Sequence, residues 1–222
     1  MVDCARVRAS RHLLFLAPLL LAGCFSARNV DASLKSAVQS QDAIAVATAL
    51  EELIEAKEDT RSDREYAYYK LQAFNDGTAG YSYARALVAA RLAERRGVAG
   101  LEQVKEAEAY AMRSISISPT YRDGDARRLL ASLYVMAGSY TRHGDSEAGL
   151  AMLEDLVEQY PTDGRNHLRL AEALISLGDV ESAVEPLCQA RGLDAQFKVS
   201  ERELLGRLEA EAGGEDALGC SD

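Results

Sequence analysis

The chain has 222 residues, with 25 Lys+Arg against 35 Asp+Glu and a net charge of −10. That balance repels phosphate backbones, which argues against a nucleic-acid partner. There is no Trp and only four Pro, Ala, Leu and Glu are abundant, and 48% of residues are hydrophobic, so a packed helical core is expected rather than disorder.

Arg6, Arg8 and Arg11 precede the apolar run Leu13 to Ala22, which has the length of a signal-peptide core and is too short to span a bilayer. The run ends in Leu21-Ala22-Gly23-Cys24, which resembles the lipobox of bacterial lipoproteins. The resemblance implies that residues 1–23 are a signal peptide and that Cys24 carries a thioether-linked diacylglycerol and an acylated amine. Two or more acyl chains hold a protein stably at a membrane, where one does so only marginally. Residues 24–30 then form a lipidated tether. Everything after it faces the aqueous periplasm, and Phe25, standing where Asp would signal inner-membrane retention, leans towards the outer membrane. Three Arg and one Asp leave with residues 1–23, so the mature chain carries 22 Lys+Arg, 34 Asp+Glu and a net charge of −12. An ordinary signal peptide with a chance cysteine would share the apolar core.

Helical spacing is expected over Asp31–Ser40, Asp42–Lys57, Ser62–Phe74 and Thr78–Arg96. Asp42 and Ser62 read as N-caps, and Glu65 would complete a capping box with Ser62. Half of the ten Tyr fall in a short stretch: Tyr66, Tyr68, Tyr69, Tyr81 and Tyr83. Tyr66 and Tyr69 should face the core with Phe74, which leaves Tyr68 as the contact candidate. Gly80-Tyr81-Ser82-Tyr83-Ala84 is near a nucleophile elbow but lacks its last Gly and a preceding strand.

Further on, Gly144-Asp145 and Gly178-Asp179 are 34 residues apart, each between two amphipathic helical patterns. Residues 164–195 align with the tetratricopeptide repeat. Leu170, Ala171 and Leu174 take the large-small-large positions of a first helix, Gly178 the turn, and Ala183, Leu187 and Ala190 the second helix. In the preceding unit Met136, Ala137 and Tyr140 take the first-helix positions and Gly149 and Leu153 the second, with Pro161 at the boundary; Leu156 departs from the expected small residue. A third, degraded unit ends at Pro119, with Ala107, Ala111 and Ser114 as small positions and a first helix within residues 83–96. Small residues allow close approach, and each pair must stack on its neighbours to bury its apolar face. The expected fold is all-α: antiparallel helix pairs stacked as an irregular, tetratricopeptide-like right-handed array over residues 31–212, capped by a helix after Val199 and followed by a polar tail, 213–222.

No catalytic constellation, phosphate loop or metal-ligand spacing stands out, so neither an enzyme nor a cofactor is expected. His143 and Asp145 flank Gly144 without a third ligand nearby in sequence. Cys188 and Cys220 either bond, as the periplasm permits, or stay apart as a buried thiol and a frayed tail. Exposed first-helix positions line the inner groove of repeat arrays. On this alignment they are Arg91, Arg95, Tyr134, Arg142, Arg165 and Glu172, and the arginines suit carboxylates. Scattered surface charge is the plainer reading of the same residues.

The runs Arg127-Arg128-Leu129-Leu130-Ala131-Ser132-Leu133-Tyr134, His143-Gly144-Asp145-Ser146-Glu147-Ala148-Gly149-Leu150 and Asn166-His167-Leu168-Arg169-Leu170-Ala171-Glu172-Ala173 resemble the TatT family, helical accessory proteins of tripartite ATP-independent periplasmic (TRAP) transporters. That resemblance implies a lipoprotein that self-associates and docks a periplasmic solute-binding protein. The alternative is a structural assembly subunit of an envelope biogenesis complex.

Overall fold

The computed structural model describes residues 30–74, 76–214 and 219–220. The expected signal peptide, Cys24 and all of the tether but Val30 lie outside the described residues. Among the described residues the chain is helical without strands, in the order α1 (Ala32–Gln39), α2 (Ala43–Glu55), α3 (Arg61–Gln72), α4 (Ala79–Arg96), α5 (Leu101–Ile117), α6 (Asp125–Ala137), α7 (Ser146–Gln159), α8 (Gly164–Ser176), α9 (Val180–Gly192) and α10 (Val199–Glu211). No helix among them is long and apolar enough to cross a membrane.

Most starts are written in short polar side chains that accept the orphan N–H groups of a first turn. Asp42 accepts from Ile44 N–H at 2.8 Å, Asp145 from Ala148 N–H at 3.0 Å, and Asp179 from Ser182 N–H at 3.1 Å. The Asp of each Gly-Asp pair is therefore a helix cap. At α3 the expected cap moves: Thr60, not Ser62, caps the helix, and Asp63, not Glu65, completes the box. Asp63 is only 2% exposed and also accepts the Asp31 N–H at 2.8 Å, so the box doubles as a tie from α1 to α3. That tertiary bond favours the earlier start.

The helices form two layers. α2, α4, α6 and α8 form one; α3, α5, α7 and α9 form the other, each packed against the helix before it. Small residues make the crossings tight. A Cβ on Gly149 would lie 2.7 Å from the Ala131 carbonyl oxygen, and Ala171 and Ala183 are fully buried between α8 and α9. Ala107, Ala111 and Ser114 are likewise buried on α5, with the Ser114 hydroxyl donating to the Ala79 carbonyl at 2.9 Å.

Two expectations of register are corrected. In the second half of α6 the buried positions are Leu130, Ala131 and Tyr134, not Met136, Ala137 and Tyr140. Met136 and Tyr140 are 63% and 50% exposed. The helix ends at Ala137 and continues as a 3-10 turn, Gly138–Tyr140. In α3, Ala67, Tyr68 and Leu71 form the buried face, so Tyr68 is a core residue and Tyr69 is the exposed one, at 45%. The Tyr68 hydroxyl donates to the Glu106 carboxylate, which gives the buried phenol its partner.

At the C-terminal end, Cys188 on α9 is disulfide-bonded to Cys220 with a Cα–Cα distance of 5.4 Å. α10 packs on α8 and α9, and its first turn reaches across to the end of α2. The Ser200 N–H donates to Glu55 at 3.1 Å, and Lys57 pairs with Glu203 at 2.6 Å. The end of α2 and the start of α10 thus touch through exposed polar groups.

Candidate partner-binding groove

A concave groove of about 1260 Å³ is lined from α2, α4, α6, α8 and the start of α10, with Leu101 and Val104 from the first turn of α5. α1, α3, α7 and α9 contribute nothing to it. Its floor is apolar: Leu87 and Ala90 from α4, and Leu129, Leu133 and Met136 from α6. Val98, 81% exposed, and Tyr140 stand at its edge. Exposed apolar side chains gathered in a concavity are a signature of a binding surface, because leaving them in water costs free energy that a partner recovers.

Both walls are charged. On α2 and α4 stand Glu51, Glu52, Glu55 and Glu94 with Arg91. Arg91 is held by Glu51 through two parallel bonds, Nε–Oε1 2.7 Å and Nη2–Oε2 2.8 Å, and by Glu94 at 2.9 Å. Despite burial, those carboxylates push its pKa above the usual arginine value. On the far side stand Arg122, Arg128, Arg165 and Arg169. Buried Arg128 donates to Asn166 at 2.6 Å and to Asp163 at 3.1 Å, and pairs with Asp125. Burial and the neighbouring Arg165 charge pull the pKa of Arg128 down, despite the two aspartates. Arg165 donates to Asp163 at 2.7 Å, and Arg169 to Glu172 at 2.6 Å. Burial pulls Asp163 up, but the Arg165 hydrogen bond and the Arg128 charge outweigh it and hold the carboxyl below the usual range. Tyr83 lies between the walls; burial, then the charges of Asp125 and Glu51, raises its phenol well above normal.

The turn before α6 aims this cluster. Arg122, Asp123 and Gly124 are three consecutive left-handed residues, with φ of 49°, 55° and 82°. Only Gly adopts that region freely. The Arg122 side chain is folded back onto Asp125 at 2.9 Å.

Of the residues assigned to the groove from sequence, Arg91, Arg165 and Glu172 line it. Tyr134, Arg95 and Arg142 do not, and each is a correction. Tyr134 is 4% exposed in the core, where burial and the nearby Glu108 carboxylate push its phenol up to about 12. Arg95 is exposed in the last turn of α4, outside the lining. Arg142 sits in the α6–α7 loop. Buried Glu108 captures that loop by accepting the N–H groups of Arg142 at 2.9 Å and His143 at 2.8 Å. His143 Nδ1 also lies 3.3 Å from Glu108, and Asp145 is committed to its cap. Ser82 is fully buried and its hydroxyl donates back to the Thr78 carbonyl at 3.0 Å, so the elbow-like run is an ordinary helix start. Sequence reasoning missed Arg122, Arg128 and Arg169. Arg169 was accessible, because it lies one helical turn beyond Arg165 on the same face. Arg122 and Arg128 owe their place to the left-handed turn, which carries no comparable signal.

Among the described residues the protein is all-helical, with one broad concave groove along α2, α4, α6 and α8. No protein-family model matches the chain, and no curated protein matches it.

Proposed function

We propose that the protein is a lipid-anchored scaffold that holds another periplasmic protein in its groove. The observation that carries this reading is the lining from α2, α4, α6 and α8, with the partly buried Leu87, Leu129 and Leu133 and the exposed Met136 on its floor. Stacked pairs expose one helix of each pair along one surface, so an irregular tetratricopeptide-like right-handed array fits this lining. The Leu-Ala-Gly-Cys run at residues 21–24 supports attachment through Cys24, on the periplasmic side of the outer membrane. The resemblance to the TatT family makes a TRAP-transporter solute-binding protein the partner of first choice.

The test is affinity capture from detergent-solubilised envelope, with Cys24→Ser as a companion. The reading expects one solute-binding protein in the wild-type capture, and palmitate label that the Cys24→Ser variant loses. Capture of a large outer-membrane complex would favour the assembly-subunit role instead. Equal label in both proteins would remove the lipid anchor.

A further inference from the structure

Buried apolar side chains join each groove helix to its neighbour, with one exception. Val46 and Leu50 of α2 share a core cluster with Ala84 and Val88 of α4. Ala86 of α4 shares one with Leu130 of α6, and Ala131 of α6 one with Leu170 of α8. Leu168 of α8 clusters with Leu204, Leu205 and Leu208 of α10. α10 is fastened to that end again by the Arg191–Glu209 pair at 2.8 Å, and beyond its last turn by the Cys188–Cys220 disulfide. Ahead of α10, Gln196 donates to the Thr162 carbonyl, just before α8, at 3.1 Å.

The exception is the place where the start of α10 meets the end of α2. Gln196, Lys198 and Glu201 line the groove there, together with Glu55. Among the described residues, no core cluster contains both an α2 and an α10 side chain. Polar groups make the joint instead. Glu55 accepts from the Ser200 N–H at 3.1 Å and from the Ser200 hydroxyl. Lys57 pairs with Glu203, and both side chains are more than half exposed. Exposed pairs of this kind stabilise weakly and are screened by salt; buried leucine contacts are stronger and escape that screening.

Resting on the groove reading above, we infer that the groove opens at this one seam. α8, α9 and α10 swing away from α2 as one body, and Glu55, Lys57, Ser200 and Glu203 are the latch that holds them closed. Stacked helix pairs contact only their neighbours, so small rotations at successive joints add up where the two ends of the stack meet. Only the latch resists them there, whereas parting α4 from α6 or α6 from α8 would expose buried core. A partner segment enters sideways through the parted seam.

The test is double electron–electron resonance on the full chain in detergent. Pairs of ketone-bearing residues carry hydroxylamine nitroxides, which leave the disulfide intact. One pair, at Glu58 and Gly206, straddles the seam; both positions are exposed, and a Cβ at Gly206 meets nothing within 4 Å. The other, at Glu185 on α9 and Gly206, lies within the moving body. In Glu55→Ala combined with Lys57→Ala, with the fold checked by circular dichroism, the seam distances should about double in breadth. Molar salt should broaden them in the unaltered latch too, while the Glu185–Gly206 distances stay the same. Seam distances that ignore both the variant and salt would overturn the latch. Broadening of both pairs would overturn the single body, because α10 would then be peeling from α9. The envelope protein captured above should associate with the latch variant about threefold faster than with wild type, since opening then limits entry less. An unchanged association rate would overturn entry through the seam. A failed capture would remove entry along with the groove reading, and leave the seam, which is read without a partner, standing.

Discussion

The α6/α7 and α8/α9 pairs carry the same Gly-Asp turn at a 34-residue spacing, yet the glycine is required for different reasons. Gly178 has φ +86° with nothing within 4 Å of a Cβ, so backbone conformation alone demands it. Gly144 has no positive φ, but a Cβ there would lie 2.2 Å from Cε2 of the Tyr134 ring, so space demands it. The second helices keep the period: Gly149, Leu153 and Leu156 precede Ala183, Leu187 and Ala190 by 34 residues each. The first helices do not. Leu130, Ala131 and Tyr134 precede Leu170, Ala171 and Leu174 by 40. The six extra residues separate Tyr134 from Gly144, where the 3-10 turn and the loop held by Glu108 lie. A shared period therefore fixes equivalent places in the fold but not equivalent causes, nor a common register on both sides of the turn.

The comparison can be broken at its two glycines. Gly144→Ala should cost about 3 kcal/mol, because the buried Tyr134 ring must move. Combining it with Tyr134→Ala should remove that further penalty, and chemical denaturation of the four proteins in the cycle reads the coupling. Additive losses would mean that the ring is not the obstacle. Ala171→Leu should overpack the α8/α9 crossing by about 2 kcal/mol; unchanged thermal stability would contradict the burial seen there. Gly178→Ala should cost about 1 kcal/mol, and Gly178→Asn less, since Asn tolerates the left-handed region. Gly144→Asn should give no such relief. If Asn rescued both positions equally, the distinction between conformation and space would fail.

The smallest effect sharpens a further contrast. α8 is capped by the Asp163 carboxylate, whereas α6 starts at Gly124 without a side-chain cap. Burial raises the Asp163 pKa, but Arg165 and Arg128 outweigh it, and the net displacement is below the ordinary value of 3.8. Its stabilising share is therefore fully present above that value and lost as pH falls through the lower, folded-state pKa. Asp163→Asn keeps a cap and should flatten the acid limb of stability below about pH 4, with little change near neutrality in its pH dependence. A parallel acid limb in the variant would show that another carboxylate controls it.

The parts of the fold legible in sequence rest on local signals. Helical spacing, the Asp42 cap, the Gly-Asp turns at residues 144 and 178, and the small residues Ala171, Ala183 and Ala107 are set within a turn or two of chain; that Asp145 and Asp179 are the caps of α7 and α9 came only with the structure. What failed depends on long-range contacts. Arg142 was placed on a helix because Gly138, which ends α6, was not taken as its stop; Glu108, 34 residues earlier, captures the loop. Thr60 replaces Ser62 as cap because Asp63 also serves Asp31. Tyr68 rather than Tyr69 turns inward, where Glu106, on α5, supplies the phenol with a partly buried partner. Within the groove, Arg91 and Arg165 were legible as basic first-helix positions. Their commitment to Glu51 and Asp163 was not, since pairing across or within elements follows from packing.

The central claim is that the inner face of α2, α4, α6 and α8 holds a partner, and site-specific photo-crosslinking in intact cells tests it most directly. A photoreactive side chain replaces Met136, on the groove floor, or Met112, 37% exposed on the outer helix α5. The account predicts a single adduct of defined mass from position 136 and none from 112. No adduct from 136, or the same adduct from both positions, would contradict it.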